Sequence, residues 1–163
     1  MKIVLAKDVM QTPVVSVTRD TYLKDIIKIL DEEVFSGLPV VDAENKVVGI
    51  ISETDICKYT KQVIGQPLRD HELFLEDETH TSHIGSPRGL DIIEFIATVT
   101  AENLMTTTVI TVFENTSLKD VVCLMVNNNI NRVPVLDAEN NLTGIIARYD
   151  VLKMLNEYLK KQL

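Results

Sequence analysis

Basic residues are scarce in this chain, and that scarcity excludes two broad roles. Lys and Arg number 16 against 24 Asp and Glu, for a net charge of −8. A general nucleic-acid binder needs a basic face to neutralise phosphates, and docking on an anionic membrane needs the same. A small anionic ligand stays open, because two or three local arginines suffice for it. Long apolar runs are also missing, and none reaches the length of a membrane span. The stretch MKIVLAKDVM has four apolar residues before Ala6-Lys7-Asp8, too few for a signal peptide, so a cytoplasmic setting is expected. Cysteine is rare too. Cys57 and Cys123 fall in apolar, helix-like stretches without a paired spacing, and buried, reduced thiols are expected. No G-x-S-x-G, P-loop, H-E-x-x-H or glycine-rich dinucleotide fingerprint occurs, which argues against an enzyme.

What is present is a repetition. The letters DAEN occur at Asp42–Asn45 and again at Asp137–Asn140, 95 residues on. Sliding the 163-residue chain on itself by that interval aligns Ala6–Cys57 with Ala101–Leu152 without a gap, and 19 of the 52 positions are identical. Ordinary residue usage would give roughly three or four. Most other pairs are chemical synonyms, such as Val15 with Ile110 and Val47 with Leu142. The chain is an internal duplication with a spacer between its copies.

Each copy reads as β-α-β-β-α. The β-branched runs PVVSV (13–17) and TVITV (108–112) predict strands. Thr21 and Thr116 mark expected helix starts, followed by helical spacing of Leu23, Ile26, Ile27 and Leu30, and of Leu118, Val121, Val122 and Met125. LPVVD and KVVGIIS, or VPVLD and NLTGIIA, then flank the DAEN turn. Asp and Asn suit a hairpin there, since both satisfy local backbone groups and Asn tolerates the left-handed conformation. A second helix follows from about Thr54 and Tyr149. One such unit buries too little surface to be secure alone. The expected fold class is therefore α+β, with tandem repeats (residues 1–60 and 101–163) packed sheet to sheet about a pseudo-two-fold axis. Hydrophobic residues make up 45 % of the chain, enough for such a core.

The series Val9-Met10 with Leu104-Met105, SGLPVVD (36–42) with NRVPVLD (131–137), and GIISETDI (49–56) with GIIARYDV (144–151) resembles the cystathionine-β-synthase (CBS) domain pair, or Bateman module. The resemblance covers both repeats, about two thirds of the chain. It implies a non-catalytic sensor that binds AMP, ADP, ATP, S-adenosylmethionine or a dinucleotide between the repeats, and pairing into disc-shaped dimers. In SETD it assigns Asp55 to the ribose diol and Ser52 to phosphate, beside a helix N-terminus whose free N–H groups suit an anion. S-x-x-D is equally the pattern of a capping box, which needs no ligand.

The second copy reads ARYD, so it keeps Asp150 but has Ala147 where the first has a hydroxyl. Arg148, and Arg132 beside VPV, can offer guanidinium groups to a phosphate; both can equally be solvated or in a dimer contact. The first copy has Glu53 and Gly37 at those places. The second cleft is therefore expected to suit phosphates better, and the first a less charged ligand or none. Leu38-Pro39 and Val133-Pro134 can wall an adenine slot, with backbone groups from Thr12-Pro13-Val14 and Thr107-Thr108-Val109 at the base edge. Asp55 and Asp150 sit in separate, equivalent clefts, which speaks against an acid–base pair.

The spacer, about 61–100, carries all three histidines, His71, His80 and His83, with Glu76, Asp77 and Glu78 nearby. It has no cysteine, and its spacing matches no specific zinc pattern, so a solvated loop is expected rather than a metal site. GLDIIEFIATVTAENLM returns to helical periodicity through Leu90, Ile93 and Ile96–Ala97. The expected function is a regulatory module for an adenine nucleotide or S-adenosylmethionine. It has no other cofactor, and it signals as a homodimer or through a protein partner. The competing reading is a ligand-free module that only dimerises or docks on an enzyme or transporter.

Overall fold

The computed structural model describes residues 3–65 and 97–160. The spacer histidines, the acidic loop and the Leu90–Ile96 stripe lie outside them. After a short 3-10 turn at Ala6–Asp8, the first repeat runs β1 (Val17–Thr18), α1 (Leu23–Glu33), β2 (Gly37–Val41), β3 (Val47–Ser52) and α2 (Glu53–Gly65). The second runs α3 (Ala101–Leu104), β4 (Val112–Phe113), α4 (Leu118–Asn127), β5 (Arg132–Leu136), β6 (Leu142–Ala147) and α5 (Arg148–Lys160). Two three-stranded sheets result, ordered β1-β2-β3 and β4-β5-β6, each with a parallel edge pair and an antiparallel hairpin. The fold is α+β in two matched halves.

The repeated letters form the hairpin turns. Asp42 Oδ1 accepts the Lys46 N–H at 2.8 Å, and Asp137 Oδ1 accepts the Asn141 N–H at 2.8 Å. Asn45 and Asn140 both take the left-handed conformation, with φ of 60° and 64°. The two turns also meet. Asn45 Nδ2 donates to the Leu142 carbonyl at 3.0 Å, and Lys46 Nζ donates to Asn141 Oδ1 at 2.8 Å. Below them Val41, Leu136 and Leu142 form an apolar cluster that joins the two sheets. Asn45→Ala should therefore cost about 2 kcal/mol, from left-handed strain plus one lost hydrogen bond. Asn140→Ala should cost about 1 kcal/mol, from the strain alone; a denaturant titration of the pair measures the difference.

Strands and helices start later than the residue pattern predicts. Of 13–17 only Val17 enters a ladder, and of 108–112 only Val112. Among the described residues no strand pairs with the earlier ones; Pro13, Val14 and Val15, and Thr108, Val109 and Ile110, wall clefts instead. Thr21 Oγ1 and Thr116 Oγ1 accept the N–H groups of Thr18 and Phe113 at 3.0 and 3.1 Å. Those hydroxyls close the strand-to-helix turns, and the caps move on to Tyr22 and Ser117. The helical stripes bury Leu23, Ile26 and Leu30 in one repeat and Leu118, Val121 and Met125 in the other. Ile27 is exposed. Both cysteines are free thiols but exposed, not buried. Cys123 falls off the stripe that Val121 and Met125 define.

Each core is completed by the other repeat's leading segment. Ala6 is fully buried in the core of the second repeat, with Val121, Val135 and Ile146, and Val4, Val9 and Met10 pack there too. Ala101 and Met105 occupy the equivalent place among Ile26, Val40 and Ile51 of the first repeat. Backbone bonds fix the exchange: Ala6 N–H to Thr116 O at 2.8 Å, and Ala101 N–H to Thr21 O at 2.9 Å. Gly144 and Gly49 leave room for this. A Cβ at either would collide with Met10 or Met105.

Candidate functional site

The exchange shapes two clefts, each built from both repeats. The first, about 340 Å3, lies between the start of α2 (Ser52 to Lys58), the 106–110 segment and the turn Asn129–Arg132. The second, about 390 Å3, lies between Ala147, Tyr149 and Asp150 at the start of α5, the segment Pro13–Val15 and the turn Glu33–Leu38. Both turns pass through a left-handed residue, Val34 at φ 56° and Asn129 at φ 50°. Asn accepts that conformation readily, whereas a β-branched residue is strained in it.

The two carboxylates are held differently. Asp55 Oδ2 accepts from the Ser52 N–H at 2.9 Å and from Ser52 Oγ at 2.5 Å. Ser52 Oγ in turn accepts the Asp55 N–H at 3.4 Å, so the capping box is formed. Among the described residues, no hydrogen bond ends on Asp55 Oδ1. Asp150 is buried, and both its oxygens are engaged. Oδ2 accepts the Ala147 N–H at 2.7 Å, and Oδ1 accepts from Gln11 Nε2 at 2.6 Å.

Arg132 is the unusual group. It belongs to the wall of both clefts, as does Ser36, to whose Oγ its guanidinium donates. It is 8 % exposed. The ion pairs among the described residues are Arg19–Glu102 and Lys28–Glu32, so none of the described carboxylates lies within 4.0 Å of it. Burial pulls its pKa below the ordinary arginine value, while the charges of Glu53 and then Asp55 act in the opposite sense. A buried cation without a close counter-charge is costly, and a bound anion would relieve it.

The structure brings Ser52, Asp55, Val109 and Arg132 together in the first cleft, and Val14, Leu38, Arg132 and Asp150 in the second. Thr12, Thr107 and Pro39 line neither. Nor do Val133 and Pro134, which are fully buried in β5. Arg148 also lines neither, and its guanidinium donates to Asn129 Oδ1 at 3.4 Å on the surface. Arg132 reaches across the axis because its repeat mate is Gly37, where a Cβ would overlap the guanidinium. Arg132 thus lines both clefts, and Lys58 joins it at the first. Gln11, Ser36 and Lys58 were not anticipated. Gln11 against Thr106 and Ser36 against Asn131 are places where the copies differ, a signal that pointed to them.

The CBS domain model matches residues 6–61 and again 101–157. This chain belongs to the CBS domain family. CBS domain pairs are in general regulatory rather than catalytic. The uncharacterized protein MJ1426 of Methanocaldococcus jannaschii is 36 % identical over 160 residues, covering 94 % of this chain and 92 % of that one. An inosine-5'-monophosphate dehydrogenase of the same organism is 28 % identical over 148 residues, and the match spans 23 % of its length. Among solved structures, the CBS domain pair of MJ0100 in complex with 5'-methylthioadenosine and S-adenosyl-L-methionine has a TM-score of 0.72. It is 25 % identical, over 96 % of this chain and 99 % of that one. CBSX2 in complex with AMP has a TM-score of 0.69 at 22 % identity, covering 95 % and 98 %. No helix among the described residues is long and apolar enough to cross a membrane.

Proposed function

We propose that this CBS pair is a non-catalytic regulatory module that binds an adenosine-containing ligand, with AMP, ADP or ATP favoured. The repeats, 1–60 and 101–163, work as one unit. The observation that carries the reading is Asp55. One of its oxygens is anchored by Ser52, the other has no partner among the described residues, and it lines a cleft with Arg132 and Lys58. A carboxylate so placed can accept both hydroxyls of a ribose, and the cations suit the phosphate beyond it. The 5'-methylthioadenosine and S-adenosylmethionine bound by the MJ0100 pair support the adenosine part. No further cofactor or metal is required.

Signalling through homodimerisation or a protein partner has its own support. On α5 the side chains of Tyr149, Leu152, Leu155, Tyr158 and Leu159 are exposed, and Tyr149 also lines the second cleft. Ligand occupancy there would touch the apolar face directly. Two free thiols fit a reducing cytoplasm. The second reading, a ligand-free assembly module, draws on Asp150, whose oxygens the protein already satisfies.

A thermal-shift panel of AMP, ADP, ATP, S-adenosylmethionine, NAD and cyclic di-AMP separates the two readings. A ligand at a hundred times its dissociation constant stabilises by about 2.7 kcal/mol. At this chain length that raises the midpoint by roughly 5–10 °C. Silence across the panel leaves the assembly module.

A further inference from the structure

We infer that the two clefts share one phosphate-binding cation, Arg132, so that each chain takes a single phosphorylated ligand, in the Asp55 cleft. The second cleft is left for an uncharged adenosine. The inference rests on the adenosine reading above and adds its stoichiometry and charge selection. Its basis is a break in the pseudo-symmetry. The mates Gly37 and Arg132 meet near the axis, and the space one lacks the other fills. A second arginine at position 37 would collide with the first and repel it. The axis therefore holds one guanidinium, and Ser36 and Arg132 together form the partition between the clefts.

The charged groups on either side decide which cleft uses it. The first cleft is lined by Glu53, Asp55, Lys58 and Arg132. The second is lined by Glu33, Asp150 and Arg132, with no other cation among the described residues. A phosphate in the first cleft meets two cations to set against its two carboxylates, and it draws the guanidinium toward itself. A phosphate in the second would then face two carboxylates alone. An uncharged adenosine avoids that repulsion, and it needs only to displace Gln11 from Asp150. A guanidinium that grips one phosphate by two parallel N–H groups has its single positive charge matched there, and a second phosphate across the partition would go without a counter-charge.

Calorimetric titration of the whole chain with AMP and with adenosine tests this. For the parent chain, one AMP per chain is expected to bind at least ten times more tightly than a second. Adenosine is expected to bind an AMP-saturated chain with one further equivalent. Arg132→Gln should weaken the first AMP by about 10- to 100-fold, the range of a lost charge-assisted contact, and leave adenosine within threefold. Arg132→Lys, which keeps the charge but loses the fork, should fall between. Thermal melts of both variants show whether they fold, and the parent stoichiometry stands independently of either. Two equal AMP sites in the parent, or an unchanged AMP-to-adenosine ratio in a folded Arg132→Gln, overturns the inference while leaving the adenosine reading intact. Silence toward both ligands overturns that reading and the inference with it.

Discussion

Replacing Val4–Met10 by a Gly/Ser stretch of the same length is expected to unfold the second repeat, although none of these residues belongs to it in sequence. The replacement strips Val4, Ala6, Val9 and Met10 from the core built on Val121, Val135 and Ile146. It also frees the backbone bonds from Ala6 to Thr116 and from Lys7 to Glu114. A fully buried aliphatic side chain contributes about 1.5–3 kcal/mol, so four partly to wholly buried ones amount to roughly 5 kcal/mol or more. Total stability for a domain of this size is about 5–15 kcal/mol, so most of it would go. A melting midpoint lower by at least about 10 °C should result. Ala6→Asp should act in the same direction by placing a charge where exposure is 0 %. Lys7→Ala, at an exposed position on the same turn, should change stability by no more than about 0.5 kcal/mol. A replaced chain that melts within a few degrees of its parent would show that the exchange of segments does not hold the repeats together.

That dependence was not legible in the sequence, for a physical reason. The duplication maps Ala6 on Ala101 and Met10 on Met105, and this correspondence is the same whether a leading segment packs on its own repeat or on the other. Period and pattern fix what each residue faces, not which copy it faces. The hairpin turns were legible because their chemistry is local. Asp42 and Asp137 bind N–H groups within four residues, and Asn45 and Asn140 carry the positive φ that Asn tolerates. The helical stripes were legible for the same reason. The cysteines were misplaced because an apolar neighbourhood was allowed to stand for burial, when Cys123 sits between the stripe positions Val121 and Met125. At the site, Asp55 lines the first cleft and Asp150 the second. The arginines divide: Arg148 lies on the surface, and Arg132 is drawn inward by the space at Gly37. Only the comparison of mates across the axis reveals that space, and it is a three-dimensional fact.

Asp55→Ala is expected to lower the affinity of the first cleft for AMP and for adenosine alike, by about 100-fold or more. Each hydroxyl-to-carboxylate bond is worth about 1.5–3 kcal/mol, and a diol makes two. The substitution also removes a helix cap, since Asp55 accepts the Ser52 N–H at 2.9 Å, which costs about 1 kcal/mol of stability. A loss of binding alone would not separate these effects. The ligand can be altered instead of the protein. On the parent chain, 2',3'-dideoxy-AMP, whose phosphate confines it to the first cleft, should bind as weakly as AMP binds to Asp55→Ala. Combined, the two changes should add almost nothing, because each removes the same interaction. Asp150→Ala should leave this affinity within about threefold, since its carboxylate serves the other cleft. If the dideoxy ligand loses as much again on Asp55→Ala, the carboxylate and the diol do not meet. Asp55 is then a helix cap and nothing more, and the adenosine must lie elsewhere.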